Sequence, residues 1–178
     1  RREKATSNIC TAQVPLAVMA SMYAVYHGPE GLRAIAERVR AQTCCLAHAL
    51  SAIGHRVQDG ARFDTVRVWP KDGAAKALAA ALGKGINLRD FGDGSLGVSL
   101  DETVEVQDLH DLVAVFGGSP LQLRVDQPAP GLGSLARTSA YLTHPTFHRF
   151  RAEHELLRYI HRLQAKDLSL TTSMIPLG

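Results

Sequence analysis

The apolar residues of this chain recur every three to four positions from Leu32 to Ile53, and short alternating stretches between helical ones follow from Thr65. That change of period fixes the class of fold before any motif is weighed. Residues 13 to 27 are apolar on nearly every side, which predicts a helix buried on several faces. His27-Gly28-Pro29 ends it, because glycine accepts a left-handed helix end and proline suits the first turn of a new helix. In that second helix Leu32, Ile35, Ala36, Val39, Leu46, Leu50 and Ile53 keep the 3.6-residue spacing, and Gly54 stops it. Thr65-Val66-Arg67-Val68-Trp69 then alternates and is β-branched, a strand that Pro70 ends. Asp72 is placed to cap an alanine-rich helix from Gly73 to Leu82. Residues 86–91 and 96–100 alternate around Gly92-Asp93-Gly94-Ser95, turn chemistry that predicts a hairpin. A further helix turns Val106, Leu109, Leu112, Val113 and Phe116 inward, with Asp101, Glu102 and Glu105 at its positive end. The predicted order is two long helices, then β-α-β-β-α. This is an α+β layer: a small, mostly antiparallel sheet with helices on one face.

From Ser119 the periodicity lapses. Pro120, Pro128, Pro130, Gly131 and Gly133 predict a linker, taken over residues 119–145, between a helical and α+β part at 1–118 and a helical arm at 146–178. The arm's helix, about Ala152 to Lys166, carries an apolar stripe of Leu156, Leu157, Ile160 and Leu163 beside Tyr159, with Arg158 and Arg162 opposite. Having no body of its own, it is expected to pack on something else. Both ends read as cut: Arg1-Arg2-Glu3-Lys4-Ala5 has no initiator Met, and Met174-Ile175-Pro176-Leu177-Gly178 is apolar. The expectation is a piece of a larger protein.

Several function classes fall away. Twenty basic against seventeen acidic residues give a net charge of +3, and aromatics are 6%. A nucleic-acid binder would concentrate basic residues on one face with stacking aromatics. The longest apolar run, Val14 to Tyr26, is too short to span a bilayer. Three thiols, Cys10, Cys44 and Cys45, argue for a reducing compartment, and no Cys-x-x-Cys pair suggests structural zinc. The location expected is the cytoplasm, or the mitochondrial matrix of a eukaryote. His154-Glu155 would open a zinc-protease motif only with a second His at position 158, which is Arg. His154 and His161 share a face but lack a carboxylate at ligand spacing, so no metal site is expected. The glycines at 83, 85, 92 and 94 join helix to strand and strand to strand, as turns do, and not strand to helix as in a dinucleotide loop. No nucleophile elbow surrounds any Ser or Cys. Thr6-Ser7-Asn8-Ile9-Cys10-Thr11 reads either as a helix cap, through Ser7 or Asn8, or as a turn lining a pocket.

Longer motifs carry a resemblance. Residues 2–13, from Arg2-Glu3-Lys4-Ala5 through Thr11-Ala12-Gln13, and residues 20–32, Ala20-Ser21-Met22-Tyr23 through Gly31-Leu32, closely resemble the P-protein of the glycine cleavage system. So do Thr143-His144-Pro145, Glu155-Leu156-Leu157-Arg158-Tyr159, Lys166-Asp167-Leu168 and Ser173-Met174-Ile175-Pro176-Leu177-Gly178. The resemblance implies a pyridoxal-phosphate enzyme of two homologous halves, each like a fold-type I aminotransferase. This chain would end the first half, with its small domain, and open the second. It implies glycine decarboxylation, with the aminomethyl group passed to the lipoyl arm of the H-protein, and a homodimeric enzyme. The family's cofactor lysine stands in a His-Lys context before a Gly-rich loop. None of the five lysines, at 4, 71, 76, 84 and 166, has that setting. No catalytic residue is therefore expected in this chain, no cofactor is expected on it alone, and its partners are the rest of the polypeptide and the H-protein. By motif match Thr6, Ser7, Asn8, Ser173 and Met174 are expected at the edges of active-site clefts. The chain departs from the family at Arg151-Ala152-Glu153-His154, where the usual run is His-Ser-Glu-Thr. The competing expectation is a stand-alone interaction or regulatory module that kept the fold without the chemistry. A catalytic half encoded after Gly178 supports the first reading, and a stop codon there supports the second.

Overall fold

The computed structural model describes residues 12–120, 123, 129–166, 169, 171, 172 and 174. The chain forms two compact units, one of residues 34–137 and one of residues 1–33 with 138–178. Helix α1 runs Gln13–Ala52 with a single interruption at Gly28, where φ is 63° and ψ −175°. A positive φ costs glycine little, and Pro29 opens the second helical stretch, so the expected break between two helices stands where His27-Gly28-Pro29 put it.

In the unit of residues 34–137, strands β1 (Arg56–Val57), β2 (Thr65–Trp69), β3 (Arg89–Asp90) and β4 (Leu96–Ser99) form one antiparallel sheet in the order β1-β2-β4-β3. Helix α2 (Ala74–Gly83) joins β2 to β3, and α3 (Val106–Val115) follows β4. Alternation along β2 gives the sheet its two faces. Val66 and Val68 are buried and lie opposite Val98 and Leu96. These four meet Leu46 and Leu50 of α1, Ala77 and Ala81 of α2, and Leu109, Leu112 and Val113 of α3 in one core. Each large apolar side chain so buried contributes roughly 1.5–3 kcal/mol. The α+β class is the one expected.

The other face of the sheet is built from cations and rings. The Arg56 guanidinium lies 3.5 Å from the Trp69 ring centre. Arg67 lies 5.2 Å from Trp69 and 4.3 Å from Phe91, and Arg89 5.8 Å from Phe91. Gly97 pairs with both Arg67 and Arg89, and a Cβ there would stand 3.1 Å from the Phe91 ring. The missing side chain leaves room for that ring to cross the strand.

Local details differ from the sequence reading. Strand β1 was not expected, and of residues 86–91 only Arg89–Asp90 is strand. The cap of α2 is Gly73, without a side-chain bond, while the Asp72 carboxylate lies 3.4 Å from Lys76 Nζ. Val106 is 47% exposed, because it begins α3 before the helix reaches the core. Glu105 does cap α3, and its N–H donates to the Asp108 carboxylate at 2.8 Å.

His55 is buried among these elements. The Lys71 N–H donates to its Nδ1 at 3.1 Å, so Nδ1 carries no proton and Nε2–H donates to the Phe116 carbonyl at 2.8 Å. The ring also meets Phe116 edge-on, 5.5 Å between centres.

In the unit of residues 1–33 and 138–178, Val25 and Phe150 are buried. Phe150 stacks on Tyr159 of α4 (Glu153–Gln164) with ring centres 4.3 Å apart and planes 15° apart. A 3₁₀ turn at Pro145–His148 precedes it, capped by His144, whose Nδ1 accepts from the Thr146 N–H. Leu157 is 57% exposed, and Ile160 and Leu163 are exposed with it.

Replacing His55 by Ala strands the Phe116 carbonyl and the Lys71 N–H. The expected loss is about 1–3 kcal/mol for each group left unsatisfied. Urea denaturation against Leu82→Ala, a residue 74% exposed and expected to stay within about 0.5 kcal/mol of wild type, measures it.

Candidate functional site

Of the residues expected at cleft edges, Thr6, Ser7, Asn8 and Ser173 lie outside the described residues, and Met174 is 99% exposed. The four described lysines serve the surface. Lys71 Nζ donates to the Ile53 carbonyl at 2.7 Å. Lys76 faces Asp72, Lys84 pairs with Asp111 at 2.8 Å, and Lys166 is exposed. An amine that condenses with a carbonyl group must be available in its neutral form in a pocket. Lys71, Lys76 and Lys84 are held by these surface partners, and Lys166 borders an open surface groove beside Arg149 and Arg162, so none of the four is enclosed as that attachment requires. Among the described residues no group of His, Cys, Asp and Glu can hold a metal ion, and no helix is long and apolar enough to cross a membrane.

Two places carry organised polar chemistry. The first is the helix break. A helix end leaves carbonyls without partners, and Arg151 meets them: its Nη1 donates to the Val25 and Tyr26 carbonyls at 2.6 and 3.0 Å, and its Nη2 to the Phe147 carbonyl. Tyr141 Oη donates to the Pro29 carbonyl at 2.6 Å. A Cβ on Gly28 would lie 2.6 Å from the Phe147 carbonyl oxygen and overlap the guanidinium, so the glycine answers to space as well as to φ. Arg151 opens the run that departs from the family's His-Ser-Glu-Thr, and here it closes a helix end.

The second is a cavity of about 580 Å³ in the unit of residues 34–137. One wall is a face of α1, where Arg40, Cys44 and His48 follow one another at one-turn spacing. The other walls are the loop 59–62 and residues 130–132. Arg40 donates to the Pro130 carbonyl, and Arg62 to the Gln58 carbonyl at 2.7 Å. Sequence reasoning singled out neither this helical face nor the loops beside it.

The hairpin turn holds the clearest charge effect. Asp93 accepts from the Ser95 hydroxyl and from the Ser95 N–H at 3.0 Å, and pairs with Arg67 at 2.7 Å. The Ser95 hydroxyl, more than the nearby Arg67 cation, keeps this carboxyl below the ordinary aspartate value. Thr103 does the same for Asp101, and Lys84 for Asp111.

With this geometry in view, the comparisons with known proteins give the chain its class. The family model of the glycine cleavage system P-protein matches residues 1–116. The chain belongs to that family. It is 57% identical over its whole length to the glycine dehydrogenase (decarboxylating) of Thermosynechococcus vestitus, of which it covers 19%. It is 50% identical to the glycine dehydrogenase (decarboxylating) of Nostoc punctiforme, covering 19%, and 53% identical to the mitochondrial glycine dehydrogenase (decarboxylating) of Pisum sativum, covering 17%. The chain thus spans about a fifth of the length of the relatives it matches.

The carboxyl of Asp93 is more acidic in the folded state than in the unfolded chain, where its value is about 3.9. Its contribution to stability is therefore present above pH 4 and is lost as pH falls through the folded value. Asp93→Asn should lower the urea midpoint at pH 7 and flatten part of its decline as the pH falls below 4. A decline as steep as wild type would show that the turn does not depend on this charge.

Proposed function

We propose that this chain is a segment of a glycine dehydrogenase (decarboxylating), an oxidoreductase. In this reading the whole enzyme decarboxylates glycine with pyridoxal phosphate and passes the aminomethyl group to the lipoyl arm of the H-protein, acting as a homodimer. The observation that carries the reading is the 57% identity to such an enzyme along the entire chain. Residues 1–118 close the first half with the small domain of a fold-type I aminotransferase, residues 119–145 link the halves, and 146–178 open the second. The compartment is the bacterial cytoplasm, or the mitochondrial matrix in a eukaryote.

Pyridoxal phosphate supplies the electron sink for decarboxylation, and its attachment falls outside the four described lysines. This segment contributes structure: a small sheet with its own core, the Arg151 closure of a helix end, and an arm whose leucines are offered to other parts of the polypeptide. Thr6, Ser7, Asn8, Ser173 and Met174 are proposed at the edges of the clefts, as positioning rather than acid or base groups.

Two measurements test this. A chimera of the Thermosynechococcus enzyme carrying residues 1–178 in place of its matched segment should keep glycine-dependent release of carbon dioxide. A well-folded chimera without activity overturns the reading. The 178-residue chain by itself should form no borohydride-trappable adduct with pyridoxal phosphate beyond what free surface amines give. A stoichiometric adduct on one lysine would contradict the structural role.

A further inference from the structure

We propose that the cavity between α1, the loop 59–62 and residues 130–132 binds a small organic anion, a carboxylate or phosphate ester with an apolar part. The volume of about 580 Å³ lies in the range of small-molecule sites. Its lining carries the guanidinium groups of Arg40 and Arg62 and the imidazole of His48, against one carboxylate, Asp59. The two guanidinium groups are held in place by backbone carbonyls, Pro130 for Arg40 and Gln58 for Arg62. A fixed guanidinium keeps its remaining N–H groups aimed in set directions, which favours planar anions. Leu132 gives an apolar wall for the rest of the ligand. A cation is the poorer fit: Cys44, Cys45, His48 and Asp59 all line the space, yet among the described residues they make no metal-binding group. This inference does not rest on the reaction proposed above.

Cys44 and Cys45 stand in the wall and report on it. In thiol–disulfide exchange the cysteine thiolate attacks one sulfur of a disulfide reagent and a mixed disulfide forms. The other half leaves as a thiolate with the electron pair, and the thiol proton passes to solvent. The full-length protein is treated with 5,5′-dithiobis(2-nitrobenzoate), which is anionic, and with neutral 4,4′-dithiodipyridine. A Cys44→Ser/Cys45→Ser variant isolates the rates of these two thiols. Relative to free cysteine, the anionic reagent should be favoured on the order of tenfold. Arg40→Gln/Arg62→Gln should abolish that preference, and Arg40→Lys should retain part of it, each checked for native near-ultraviolet circular dichroism. Phenyl phosphate or benzoate should slow the reaction while phenol does not, and the stronger protector tells phosphate from carboxylate. The proposal fails if the preference survives the double glutamine variant. It fails equally if phenol protects as well as the anions, or if neither thiol reacts.

Discussion

A single imidazole sits where three chain reversals of residues 34–137 meet. His55 follows the Gly54 turn after α1, takes the N–H of Lys71 after β2 and gives its own N–H to Phe116 at the end of α3. Both ring nitrogens are satisfied, which is the condition for keeping such a ring out of water. The sheet, the first helix and the last helix are thereby held at one corner. The apolar face of Val66, Val68, Leu96 and Val98 packs with residues of α1, α2 and α3 in one core beside that corner. The hydrophobic effect supplies most of the free energy, but it is non-directional, and the hydrogen bonds of His55 give the corner its direction.

What was legible in the residues was whatever depends on near neighbours in sequence. The break at Gly28, strand β2, the Gly92–Ser95 turn and helix α3 all follow from local spacing and backbone preference. Strand β1 was not legible, because Arg56 and Val57 become strand only by pairing with Trp69 and Val68 across a loop. Residues 86–88 alternate like a strand, yet pairing with β4 is confined to Arg89 and Asp90. Asp72 was a sound cap by composition. The turn nonetheless gives the cap position to Gly73, at a φ of 90° that suits glycine better than aspartate.

The family was legible by resemblance more than by physics. The quoted motifs led to the P-protein family, and the family model and the relatives bear that out. Nothing in spacing alone would have done so, since among the described residues no group of His, Cys, Asp and Glu is placed to announce a metal centre. The cavity shows the reverse case. Arg40, Cys44 and His48 lie in plain sight at helical spacing, but such spacing is common, and only the loops 59–62 and 130–132 make it the wall of a half-open cavity.

The sheet ends on both sides in a two-residue strand, β1 at one margin and β3 at the other. A margin that short exposes too little unpaired backbone for a foreign chain to zip along it, a familiar hazard of open sheets. Arg56 and Arg89 belong to those two marginal strands, and their guanidinium groups lie over the rings of Trp69 and Phe91 on the face of the sheet. Two such short margins disfavour growth of the sheet beyond four strands.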